Sequence, residues 1–149
     1  MKLITIDPPY YLYLFIGIMI ILHVFFPLIH FIHFPLTLFG LILIIPGIVL
    51  NLSADKSFKV NDTTVKPILE SNILITTGIF RITRNPMYLG FVMILLGIGI
   101  LMGTLTPLLA VIVFAIFIDA VFIRYEEQKL EQAFQEEWVA YTQKVRRWI

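Results

Sequence analysis

The chain has 149 residues, 59% of them hydrophobic and only 14% charged, with a formal net charge of +1 and no cysteine. So apolar a composition lies far from the soluble average and excludes a large soluble enzyme. The absence of cysteine excludes disulfides and thiolate chemistry, and no basic or aromatic-basic run is present to track phosphates, so no nucleic-acid partner is expected.

In chain order, residues 1–9 carry one lysine and an Asp-Pro-Pro turn but no small-residue cleavage site. The first apolar stretch is therefore read as a retained span. A bilayer core asks for about 20 apolar residues in a helix. Residues 10–29 supply one such stretch, with His23 inside it and Pro27 near its end. Residues 35–52, 86–102 and 105–123 supply three more. The third and fourth are joined by Gly103-Thr104-Leu105-Thr106-Pro107, a tight turn that predicts an antiparallel helical hairpin. The expected fold is all-α: one integral membrane domain over residues 1–149, with about four spans, a central loop 53–85 and a C-terminal amphipathic helix 124–149.

The charges set the expected topology. Lys2 precedes the first span, Lys56, Lys59, Lys66, Arg81 and Arg84 lie in the central loop, and Arg124, Lys129, Lys144, Arg146 and Arg147 follow the fourth span. The loops near His30 and Gly103 contain neither Lys nor Arg. Positive charge concentrates on the cytoplasmic side of membrane proteins. This places both termini and the central loop in the cytoplasm of a multi-pass protein, expected in a bacterial inner membrane with the lipid bilayer as its surroundings.

Small residues offer close helix contacts in lipid. Gly40 and Gly47 lie one heptad apart, as do Gly90 and Gly97, and Gly99 and Gly103 form a small-xxx-small pair. The central loop is long for so short a chain, which marks it as functional or disordered. Its apolar run Ile73, Leu74 and Ile75 is expected to fold against the helix ends. The loop closes on Arg84-Asn85-Pro86-Met87-Tyr88. Asn is a strong N-cap and Pro suits the first helical position, so this is either a capped helix start or an anion-attracting one.

Beyond the fourth span, Leu130, Phe134, Trp138, Tyr141, Val145 and Trp148 recur at helical spacing and form one apolar stripe. This helix either continues the fourth span or folds back onto the interface. Asp119 is the one acid within a span, as fit for a structural partner as for a functional role. His23, His30 and His33 lack a convergent third ligand and read as interfacial, so no metal is expected.

The segment from about Thr63 to the C-terminus resembles the isoprenylcysteine carboxyl methyltransferase family and its phospholipid-methyltransferase relatives. The resemblance runs through Thr64-Val65-Lys66-Pro67, Ile73-Leu74-Ile75-Thr76-Thr77-Gly78-Ile79-Phe80 and Arg84-Asn85-Pro86-Met87-Tyr88-Leu89-Gly90. It continues through Glu126-Glu127-Gln128-Lys129-Leu130, Phe134, Tyr141 and Val145-Arg146-Arg147-Trp148. It implies S-adenosylmethionine as methyl donor, held by Asn72, Ile73, Leu74, Ile75, Phe80, Asn85, Pro86, Met87, Tyr88 and Glu126. Three positions depart from the family: Asn85 stands where His is usual, Phe122 where the prenylcysteine enzymes have an acceptor-holding Arg, and Gln135 where Gly is usual. Arg124 is the nearest replacement for that Arg, and no catalytic base is assigned.

The resemblance implies a membrane methyltransferase acting on a lipidated or small amphipathic acceptor. A carboxylate acceptor is ionised near neutrality and needs no base, whereas an amine or thiol must first lose a proton. The alternatives are phospholipid or other small-molecule N- or S-methylation, and a non-catalytic four-helix membrane protein that keeps the fold.

Overall fold

The structure, a computed structural model, describes residues 7–60 and 73–149. Lys2, Lys66, Asn72 and the 64–67 portion of the motif lie outside the described residues. The described part is an all-α membrane protein with three long apolar helices and one shorter one.

Helix α1 runs Pro8–Phe25, with proline in its first turn, where no N–H is needed. It stops before the expected residue 29 because Phe26 precedes Pro27, which disfavours helical backbone in the residue before it. Phe26 has left the helix at φ −135° and closes it through its N–H to the Leu22 carbonyl.

A short 3₁₀ turn, Leu36–Phe39, leads into α2, Gly40–Val60. The expected loop from residue 53 is thus corrected: the helix continues past Leu52. Lys59 pairs with Asp55 one turn earlier at 2.6 Å, and the Ser57 hydroxyl donates to the Ser53 carbonyl. Ala54 and Phe58 bury an apolar face against Ile75 and Phe80. Local pairs and that tertiary cover together extend a helix whose polar composition resembles a loop.

Helix α3, Pro86–Met102, lies tightly along α2. Gly47 faces Gly90, and Gly40 faces Gly97. A methyl group at Gly47 would sit 2.8 Å from the Gly90 carbonyl oxygen, and one at Gly90 would sit 2.6 Å from that of Gly47. The two heptad-spaced pairs therefore interlock and let the backbones touch. Gly99 instead packs on Leu108. Gly103 serves as the left-handed cap of α3 at φ 70°, its N–H donating to the Gly99 and Ile100 carbonyls.

Helix α4, Leu105–Ile118, returns antiparallel and passes through a π turn, Asp119–Ile123, into α5, Arg124–Lys144. The C-terminal helix therefore continues the fourth span. It bends at Gln135 and ends at Lys144, short of the expected residue 149, because Val145 turns extended. Met19, Leu95, Phe114, Ile118, Phe122 and Ile123 form the fully buried centre between α1, α3, α4 and the π turn. Outward-facing Ile20, Ile42, Ile45, Ile112 and Ile116 are exposed, as lipid-facing positions should be.

The uncharged side is locked by polar contacts among its loops. His23 Nδ1 lies 2.8 Å from Thr104 Oγ1, the Thr106 hydroxyl donates to the Phe26 carbonyl at 2.6 Å, and His30 bridges to Thr104. The His23 contact gives that imidazole a structural task, while His30 takes part through its backbone.

Candidate functional site

On the opposite, charged side, three pieces of chain converge: the segment from Ile73 to Asn85, the first turn of α3, and α5 with the tail that follows it. The segment enters extended, passes through a 3₁₀ turn at Gly78–Arg81, and hands over to α3 at Asn85. Gly78 takes φ +62°, a conformation that favours glycine.

Two side chains meet at the centre. The Tyr88 hydroxyl donates to Glu126 Oε1 at 2.5 Å, joining the first turns of α3 and α5. Tyr88 is buried in the aromatic cluster with Phe91 and Phe122. Glu126 keeps some exposed surface, but its carboxyl end is enclosed by protein, and this desolvation pushes its pKa up to about 7. The Tyr88 hydrogen bond and Lys129 partly offset the rise, and Glu127 adds to it. A carboxyl group poised near neutrality can either accept a donor group as an anion or exchange a proton.

Asn85 does not cap α3 as expected. It sits at φ −127° and ψ 59°, and no side chain caps the helix. Its amide Nδ2 instead donates to the Arg147 carbonyl at 3.1 Å, and its backbone N–H donates to Thr83 Oγ1. The tail has captured the side chain that would otherwise cap, which leaves the first turn of α3 as an uncapped positive dipole end.

The second glutamate of the pair has a different set of partners. Glu127 is held by Arg84 at 3.2 Å and by Arg147 at 2.6 Å. Arg147 also approaches Asp119 at 3.5 Å, and Asp119 in turn accepts from Arg124 at 3.1 Å. Arg84 stacks over the Trp138 ring at 5.4 Å. Asp119 thus has two cationic partners. Arg124 is 64% exposed, on the outer side of the helix from buried Phe122. The hydrogen bond to Glu127, together with the nearby charges of Glu127 and Asp119, raises the pKa of Arg147 further.

The other residues assigned to the donor divide into two groups. Ile75 and Phe80 pack with Ala54 and Met87, and Met87 also touches the main core. Pro86 is fully buried. Leu74 faces the other way, onto Trp138, Tyr141 and Val145, and Ile73 is exposed. Of the apolar run, Leu74 and Ile75 pack against the helices as expected and Ile73 does not. Beside Leu74 opens a cleft of about 590 Å³ lined by Thr76, Arg81, Glu137, Tyr141 and Lys144. Tyr141 anchors it by donating to the Phe80 carbonyl at 2.6 Å, and burial raises this phenol to about 12 although nearby Arg84 opposes the shift.

Sequence reasoning reached Tyr88 and Glu126 but missed the ion-pair chain of Arg84, Glu127, Arg147 and Asp119. Its partners lie on four separate segments. The paired arginines before Trp148 and the lone acid Asp119 were the available signals.

Comparison with known proteins adds two findings. The model of a family described as phospholipid methyltransferase matches residues 36–137, well over half of the chain. A stretch of 63 residues is 41% identical to an uncharacterized protein of Haemophilus influenzae, covering 42% of this chain and 100% of that protein.

Proposed function

The chain belongs to the phospholipid methyltransferase family, and on that premise we propose that it transfers a methyl group from S-adenosylmethionine to the polar end of a lipidated or small amphipathic acceptor. Family membership itself implies methyl transfer at a membrane. The donor, the acceptor and the cytoplasmic placement of the site are our reading.

The observation that carries it is the Tyr88–Glu126 contact beside the uncapped start of α3. The residues there fit a zwitterionic sulfonium nucleoside. The start of α3 suits a carboxylate, Glu126 suits an ammonium or a ribose hydroxyl, and the exposed Ile73 and part-buried Met87 supply apolar surface for a base, backed by buried Ile75 and Phe80. The sulfonium supplies an electrophilic methyl. The protein's part is to align the acceptor with it and to exclude water, so proximity carries much of the rate. The carbon–sulfur bond breaks as the bond to the acceptor forms.

A carboxylate acceptor requires no base, which keeps carboxyl methylation as the first reading. The pKa of Glu126 near 7 supports a second one. A half-ionised carboxylate can take the proton of an amine, as methylation of a lipid amine requires. Arg124, exposed and paired with Asp119, is not needed for either reading.

Equilibrium binding of S-adenosylhomocysteine to the detergent-purified protein tests the donor site. Wild type should bind, and Glu126→Ala and Tyr88→Ala should each lose most of the affinity. A well-folded wild type that binds nothing overturns the reading.

A further inference from the structure

We infer that residues 146–148, hinged at the buried Val145, form a latch over the start of α3, and that this latch must open before a donor reaches its site. The inference rests on the donor reading above, because it concerns access to the same first turn of α3.

The latch is defined by how it is held. After Lys144 the chain leaves the helix, and Val145 is extended at φ −125° and ψ 129°. From there its backbone carbonyls are spent on one target. The Arg146 carbonyl accepts from the Arg84 N–H at 3.1 Å, and the Arg147 carbonyl accepts from both the Thr83 hydroxyl and the Asn85 amide, each at 3.1 Å. These three donors are consecutive residues at the entrance to α3. Thr83, Asn85 and Pro86 are buried beneath this contact. On this reading the tail, bound to the three residues that immediately precede the first turn of α3, stands in the path of a ligand carboxylate.

The fastening is suited to opening. The Arg147 side chain is 36% exposed while its partners Glu127 and Asp119 are 12% and 19% exposed, so water and salt reach the cationic half of the clasp. Part-exposed ion pairs are individually weak. Trp148 adds a half-buried apolar contact with the main core. On this reading Glu127 is a positioning residue. It ties the tail through Arg147 and the entrance segment through Arg84, whereas its neighbour Glu126 faces the donor. Release of the tail also frees the Asn85 side chain for its ordinary capping position or for a ligand.

The test measures association and dissociation rates of S-adenosylhomocysteine, together with hydrogen exchange at the Arg84 N–H, in the full chain in detergent. Arg147→Gln should raise the association rate about two- to fivefold, the factor that one part-exposed ion pair corresponds to. It should also release protection at Arg84. Added salt should speed association in wild type but have little effect on the variant. Asp119→Asn, which removes the weaker of Arg147's two partners, should act in the same direction with a smaller effect, and it carries the test if Arg147→Gln does not fold. An unchanged association rate with faster dissociation would make the tail a fixed wall and overturn the latch. So would Arg84 protection that neither substitution alters. If neither wild type nor variants bind, the methyltransferase reading fails, and the exchange at Arg84 still decides whether the tail opens.

Discussion

Glutamine at position 126 should stabilise this protein while removing the group that its proposed function needs. Glu126 has a folded pKa of about 7 against an ordinary value of 4.5, chiefly because its carboxyl end is desolvated. Between those two values the folded state holds a proton that the unfolded chain has lost. Stability therefore falls as pH rises from 4.5 to 7, and the penalty is fully present above 7. At about 1.4 kcal/mol per pKa unit, it amounts to at most about 3–4 kcal/mol. Glu126→Gln keeps an oxygen to accept from Tyr88 but cannot ionise, so the penalty disappears. For a chain of this size such a gain corresponds to roughly 5–10 °C in melting temperature. Thermal unfolding followed by tryptophan emission should show the variant close to wild type at pH 5 and clearly above it at pH 8. A gain of equal size at both pH values, or none at pH 8, would refute the desolvation argument.

Three further substitutions test the architecture by the same unfolding assay. Gln135 sits at φ 41° inside α5, so Gln135→Gly should raise stability by about 1 kcal/mol, the reverse of glycine's usual cost in a helix, and a fall in melting temperature would contradict the strained backbone. Gly47→Val would drive a side chain into the Gly90 backbone and should cost about 2 kcal/mol or more through separation of α2 and α3, whereas an unchanged melting temperature would mean the two helices do not touch. Tyr141→Phe removes the donor to the Phe80 carbonyl and should cost about 1–2 kcal/mol, and a neutral result would remove that hydrogen bond from the account.

The spans were legible because lipid demands long apolar helices, and a turn rich in Gly, Thr and Pro can end them in only a few ways. The extension of α2 to Val60 was not legible. Among the described residues its apolar face is covered by Ile75 and Phe80, with Ile79 and Met87 beside them, which arrive from elsewhere in the chain. The π turn that carries α4 into α5 leaves no mark on the hydrophobic pattern, because Phe122 and Ile123 are adjacent and both buried. The departure noted at Gln135 did carry a signal: at the position where the resembled family has glycine, a non-glycine residue here takes a positive φ. Asn85 was read correctly as the residue at the boundary of α3 but not as the tail's partner, since local capping rules cannot see a carbonyl that approaches from Arg147. Tyr88 and Glu126 were assigned to one site through family resemblance, and the fold places them in contact.

The central claim is methyl transfer from a sulfonium donor at the Tyr88–Glu126 site. Its most direct test is to incubate the purified protein with methyl-labelled S-adenosylmethionine and a membrane lipid extract, and then to follow label into the organic phase for wild type and Glu126→Ala. The account predicts incorporation by wild type and a loss of at least about tenfold in the variant, the factor expected when one charged hydrogen-bonding group leaves a binding site. Equal incorporation by wild type and variant would contradict it.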